Sequence, residues 1–236
     1  MSEWAPKRFW KEADVRPEGE SWTVTLDGRG IKTPAKAALA VPTEALARAI
    51  AEEWQAQDEK IDPGTMPFTR MANSALDKVL PQRAAVAEML AAYGDSDLLC
   101  YRAEAPDELV ARQAAHWDPL LVWTHEMFGA RLAPRVGVMH AAQDAAALDR
   151  LAREVHAQPP FALAAFHDLV AISGSLVLAL AVIHGARSPA EAWDLSRLDE
   201  SWQEEQWGVD EEAAEVAGLK RAEFLHAAHF HALSTA

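Results

Sequence analysis

Cysteine is almost missing from this chain. With Cys100 alone among 236 residues, an intramolecular disulfide and any cysteine-rich metal cluster are excluded. Its place in the apolar run DLLCYR makes it buried filler rather than a nucleophile. Basic residues are also scarce. There are 22 Lys and Arg against 36 Asp and Glu, a net charge of −14, which argues against nucleic-acid phosphates or an anionic membrane surface as the main partner. No apolar run is long enough to cross a bilayer. The longest, LVAISGSLVLALAVI over residues 169–183, falls short of the ~20 residues a spanning helix needs, and His167 and Asp168 adjoin it. One buried central helix is expected there, over about 160–184, with Pro160 near its start and Gly185 just past its end. MSEWAPKRFWKEADV has neither the apolar core of a secretory signal nor the Arg- and Ser-rich, acid-free composition of a transit peptide, so a cytoplasmic protein is expected.

What is present describes a folded chain. Half of the residues are apolar and a quarter charged, and the length suffices for one large domain or two modest ones. Over residues 7–41, RFWKEADV, SWTVTL, RGIKT and LAV read as strands of a small antiparallel sheet, with Asp27-Gly28 as the hairpin signal. Thr43 then caps a helix running to about Gln57, with Leu46, Ile50 and Trp54 at core spacing, placed to cover one face of the sheet. The polar, Pro- and Gly-bearing stretch 58–67 is the linker candidate. The expected fold class is therefore α+β, with a small sheet domain over residues 1–66 and a helical domain over 67–236. Helices are expected over about 68–79, 82–93, 107–128, 143–157, 160–184, 189–207 and 211–233, and Pro119 should bend or split the third of these. DLLCYRA and RLAPRVGVM read as short strands or extended connections, and the former could rejoin the first sheet.

The most informative stretch is SRLDESWQEEQWG, residues 196–208, with its run-in. Ser188, Pro189 and Glu191 have the pattern of a capped helix start, and Gly208 is the natural stop. At 100° per residue Leu195, Leu198 and Trp202 form a core-facing stripe, while Trp193, Glu200 and Trp207 form a second one opposite. Either both outer tryptophans pack under neighbouring loops and Glu200 is a solvated charge, or this face binds a partner. Charge is uneven too. Residues 185–236 hold four basic and eleven acidic side chains, half of the total surplus, which fits a solvated helical face or an acidic docking surface.

Signals for catalysis are weak. Gly28, Gly30, Lys32 and Thr33 lack the spacing of a phosphate loop, so no nucleotide cofactor is expected. His125-Glu126 lacks the second histidine of a zinc helix, and His226, His229 and His231 read as terminal surface histidines rather than metal ligands. Ser173 and Ser175 sit outside any nucleophile elbow. Asp199, Glu200, Glu204 and Glu205 could supply an acid–base pair, but helices carry such carboxylates routinely. An enzyme built on them would need a deep pocket with Glu200 or Asp199 at its floor.

Taken together, KRFW, LDGRGIKTP, LAVPTEALARAIAEEW, IDPGTMPFTRMANSALD, GDSDLLCYRAEAP, HDLVAISGSLVLALAV and SRLDESWQEEQWG resemble the assembly chaperone of the F-type ATP synthase catalytic head, in its alpha-proteobacterial and mitochondrial type. The resemblance spans nearly the whole chain in order. It implies a small α+β domain followed by a helical one. It also implies a protein that is not an enzyme, uses no cofactor, binds the unassembled alpha subunit on surface that the beta subunit later covers, and releases it when beta arrives. It carries this role onto Glu200, Trp207 and Gln203, with Asp199. Trp193 and Glu204 complete the candidate partner-binding set. A monomer is expected, because the binding site must stay free. The competing expectation is an acidic adaptor without client specificity.

Overall fold

The computed structural model describes residues 7–236, so the first six residues of the leader-peptide reading lie outside it. The chain divides into two compact units. The first holds residues up to Arg83 together with 159–165 and 229–236, and the second holds 84–158 and 166–228.

In the first unit, strand β1 (Ala13–Glu18) pairs antiparallel with β2 (Ser21–Leu26), and β2 pairs on its other edge with β3 (Arg29–Gly30) and β4 (Ala40–Val41). The expected hairpin is present. Asp27 (φ 47°) and Gly28 (φ 78°) both take left-handed backbone, as a tight two-residue turn between twisted strands requires. The Asp27 carboxylate also accepts hydrogen bonds from the amides of Lys11 and Glu12 (3.0–3.2 Å), which hold its carboxyl below the usual range. β1 starts later than RFWKEADV implied. Trp10 instead turns into the core, with its ring 5.2 Å from that of Trp54. Helix α1 (Glu44–Gln55) is capped by Thr43, whose hydroxyl accepts from the Leu46 amide at 3.2 Å, and it buries Leu46 and Ile50 completely against Val24 and Val41 of the sheet.

Residues 58–67 are part of this unit and not a linker. Gln57 accepts from the Asp62 amide (2.7 Å) and donates to Thr65 (3.0 Å), folding the stretch back on itself. Helix α2 (Pro67–Ser74) follows, its free amides at Phe68 and Thr69 received by the Glu53 carboxylate at 2.6 and 2.8 Å. A π turn over 75–79 then presents Asp77 to Thr33 (2.7 Å) and to the Ala35 amide (3.0 Å). These bonds carry the unit past residue 66, where a boundary was expected. Ala165 and Phe230, distant in sequence, complete its core.

The second unit is helical. Helix α3 (Arg83–Ala91) leads through two 3₁₀ turns to β5 (Tyr101–Arg102), which pairs in parallel with β6 (Arg135–Val136) and so does not rejoin the first sheet. Helix α4 (Asp107–Phe128) runs unbroken through Pro119. Burial of Gln113, Trp117, Leu120, Leu121 and Thr124 along one face outweighs the one backbone bond that proline removes. After α5 (Ala145–Ala157), the apolar stretch forms two helices where one was expected: α6 (Pro160–Ser173) and α7 (Leu176–Ile183). Gly174 (φ 69°) turns the chain between them, and the Ser175 hydroxyl caps α7 at the Leu178 amide (3.0 Å). No helix among the described residues is long and apolar enough to cross a membrane. Helices α8 (Pro189–Ser196), α9 (Leu198–Trp207) and α10 (Glu211–Thr235) complete the chain.

Asp97 anchors the break before α7. Its fully buried carboxylate accepts from the Leu99 amide (3.0 Å), the Ser175 hydroxyl (2.8 Å) and the Val177 amide (2.9 Å). Burial dominates over these donors and pushes its carboxyl from 3.8 up to about 6. The neighbouring Cys100 thiol is pushed by burial up to about 12, which leaves it inert as a nucleophile.

Because folded Asp97 binds its proton more tightly than the unfolded chain does, its contribution to stability is full below about pH 4 and is lost as pH rises through about 6. Asp97→Asn removes that titration and leaves one of the converging amides facing an NH₂ group, a cost of about 2 kcal/mol. Urea unfolding should therefore show a larger deficit for the variant at pH 4.5 than at pH 7.5. Equal deficits at the two pH values would contradict a raised Asp97 carboxyl.

Candidate functional site

The acidic stretch is two helices and not one. The capping box at Ser188 forms as expected: its hydroxyl accepts from the Glu191 amide (3.2 Å), and the Glu191 carboxylate accepts from the Ser188 amide (2.9 Å). Helix α8 nevertheless ends after Ser196, and Arg197 (φ −109°, ψ 16°) resets the helical phase before α9. The two seven-residue-spaced stripes are thus cut. Trp193 points inward, only 6% exposed, with its ring 6.1 Å from that of Phe224, so it does not belong to an exposed partner face. Trp202, expected in the core, is half-buried beneath the Arg112 guanidinium, 4.7 Å from the ring centre.

Helix α4 fixes α8 and α9 from one side through polar groups. Trp117 donates its indole N–H to the Leu195 carbonyl (3.0 Å). Gln113, itself buried, accepts from the Ala103 amide (2.8 Å) and donates to Asp199 Oδ1 (2.7 Å). The adjacent Arg112 grips Glu205, six residues beyond Asp199, with two hydrogen bonds of 2.7 and 2.8 Å and holds its carboxyl below the usual range. Glu200 pairs with Arg197 at 2.7 Å, an i,i+3 contact.

The candidates therefore separate by position. Asp199 is tied inward to Gln113, and Glu200 and Glu204 are half-buried. Gln203 is exposed, and Trp207, the last residue of α9, is 79% exposed. Gly208 (φ 89°) ends the helix there, as expected, and Val209 beyond it is also exposed. Large aromatic side chains are enriched at interface hot spots, which makes Trp207 the most conspicuous candidate on this face. Arg112 and Gln113 were not among the residues singled out, since nothing at that distance in the sequence links them to α9. The Arg197–Glu200 pair was legible from its spacing alone.

Elsewhere, side chains considered for chemistry have structural places. Ser173 donates to the Leu169 carbonyl (2.6 Å), and Ser175 caps α7. Among the terminal histidines only His229 is exposed. His231 is buried and His226 half-buried, so the expectation of a surface cluster is not met.

A model of the ATP12 chaperone protein family matches residues 7–125. The chain belongs to the ATP12 chaperone family. It is similar to the crystal structure of Atp12 from Paracoccus denitrificans, with 49% identity, a TM-score of 0.94, and coverage of 97% of this chain and 98% of that one. The Atu1473 protein of Agrobacterium tumefaciens is similar at 42% identity and a TM-score of 0.92, over 98% of this chain and 87% of that one. Among curated proteins, the mitochondrial protein atp12 of Schizosaccharomyces pombe is 25% identical over 222 residues, covering 89% of this chain and 76% of that protein. ATP12 proteins are assembly chaperones and not enzymes. The family model stops within α4, so it matches the helix that holds α9 and not α9 itself.

The geometry separates a carboxylate bonded to a buried amide from one in a half-exposed ion pair. Asp199→Ala leaves the buried Gln113 amide without its acceptor and should cost roughly 1–3 kcal/mol of stability. Asp199→Asn keeps an acceptor and should cost less. Glu200→Gln, at a half-exposed ion pair, should change stability by under about 1 kcal/mol. Denaturant unfolding of the three variants tests this ordering, and a Glu200→Gln loss as large as that of Asp199→Ala would refute it.

Proposed function

We propose that this protein holds the unassembled alpha subunit of the F-type ATP synthase catalytic head, keeps it from aggregating and yields it to the beta subunit. The observation that carries this reading is Trp207, exposed at the end of a helix that α4 holds in place, within an ATP12-family chain. A subunit interface left open is a large apolar patch and aggregates. A chaperone must cover it without locking on, and a few aromatic anchors in a polar surround suit reversible contact better than a wholly apolar face. Trp207 is the anchor. Gln203 and Glu200 supply adaptable polar contacts beside it, Glu204 contributes at the edge, and Asp199 positions the helix from beneath. The protein works as a monomer whose site stays free. It works in the cytoplasm, a reading that the bacterial origin of its similar solved structures supports, and the mitochondrial fission-yeast relative extends the proposal to that compartment in eukaryotes.

Light scattering of alpha subunit diluted from denaturant tests the proposal. Stoichiometric amounts of this protein should suppress scattering of alpha but not of an unrelated unfolded protein, and suppression should persist at high salt. Trp207→Ala should weaken holding by about 2 kcal/mol, roughly thirtyfold, with the fold intact. Suppression that is equal for any client, or that vanishes at moderate salt, would identify an acidic adaptor instead.

A further inference from the structure

The inner and outer halves of α10 share one stripe. Ala213, Val216, Ala217, Lys220, Phe224 and Ala227 follow at three- and four-residue steps and so lie on one face. Phe224 and Ala227 are fully buried, yet no residue from 211 to 223 is. The core-facing stripe thus runs off the end of the core. A helix solvated all round ordinarily draws support from i,i+4 ion pairs, but Glu211, Glu212, Glu215, Lys220 and Arg221 form none among the described residues. Val216 is exposed on this half, as is Leu219 at 64%, with Trp207 and Val209 just upstream. Alongside the stripe is an open cleft of about 410 Å³, lined by Arg197, Asp210, Glu212, Ala213, Val216 and Lys220 among others.

One of these carboxylates already has a structural role. Asp210 accepts from the amides of Glu212 (2.9 Å) and Ala213 (3.1 Å) and closes the first turn. Glu211, Glu212 and Glu215 have no such role and stand exposed around the alanines.

We propose that residues 211–223 are a docking element that receives an amphipathic helix from the client, its apolar side along Ala213, Val216 and Ala217 and its flank carrying Lys or Arg. The proposal rests on the reading that the client is the alpha subunit and extends the site from α9 onto α10. Small side chains let a second helix approach closely, and the stripe already has the phase of a packed helix, so the guest adds one helix to the layer. Charge selects the guest. Asp210, Glu211, Glu212, Glu215 and Glu223 outnumber Lys220 and Arg221, which favours a basic flank and sets two copies of this chain against each other.

Hydrogen exchange on the full chain, alone and with alpha subunit, tests this together with holding assays on variants. Amides of residues 213–223 should exchange quickly in the free protein and slow by at least about tenfold in the complex. Val216→Asp, at an exposed position, should weaken holding about tenfold. Glu212→Lys should weaken it more at low salt than at high salt. If alpha is held and Trp207→Ala weakens holding, but residues 213–223 gain no protection and Val216→Asp has no effect, the α10 element is wrong while the α9 face stands. If alpha is not held at all, both fall. If the free protein forms a concentration-dependent dimer that Val216→Asp abolishes, a second copy occupies the stripe and the proposal is overturned.

Discussion

A single buried carboxylate sets the geometry on which the helical unit rests. Asp97 gathers the Leu99 amide, the Ser175 hydroxyl and the Val177 amide at the point where the apolar stretch turns. It thereby fixes where α7 begins. Helix α7, buried from Leu176 to Ala181, packs against α4 and α8, and α4 in turn holds α8 through Trp117 and α9 through Gln113 and Arg112. The exposed tryptophan at the far end of α9 thus depends on a chain of contacts that starts at a group with no part in binding. The arrangement explains why a costly buried acid is tolerated: three converging donors would otherwise go unmet in an apolar interior.

Polar contacts to the scaffold also decide which acidic residues remain available. On α9, Asp199 and Glu205 are consumed by α4, and Glu200 is partly neutralised by Arg197. What faces water is the Trp207 ring with Gln203 and Gln206 near it and the half-buried Glu204 at the edge. Such a surface can meet an apolar patch without becoming one itself, which is the requirement on a chaperone that must also release.

Local signals were largely readable from the chain. Hairpin, capping boxes and glycine stops act within four residues, so Asp27-Gly28, Thr43, Ser188 and Gly208 all stand where expected. Errors arose where distant groups override local pattern. Asp97, which fixes the break before α7, lies 78 residues from Ser175, and the local signals there, Gly174 and the Ser175 cap, sit inside an otherwise continuous apolar run. Arg197 resets the helical phase, so stripes drawn across it put Trp193 outside and Trp202 in the core, whereas Trp193 is buried and Trp202 only half-buried. Pro119 was expected to disrupt a helix that its buried face instead sustains. The pairing of Arg112 with Glu205, across 93 residues, has no local trace at all.

The make-up of the first unit bears on how the protein comes into being. Its sheet and first helices lie within the first 83 residues, but its core closes only with Ala165 and with Phe230 from the last turns of the chain. On a ribosome that half cannot finish when its own segment emerges. It waits, incomplete, until residues 229–236 have also emerged. A product that stops before residue 229 therefore lacks part of the core of a unit built mostly from the first 83 residues. The order of synthesis and the order of packing thus differ: the half that is made first is completed last.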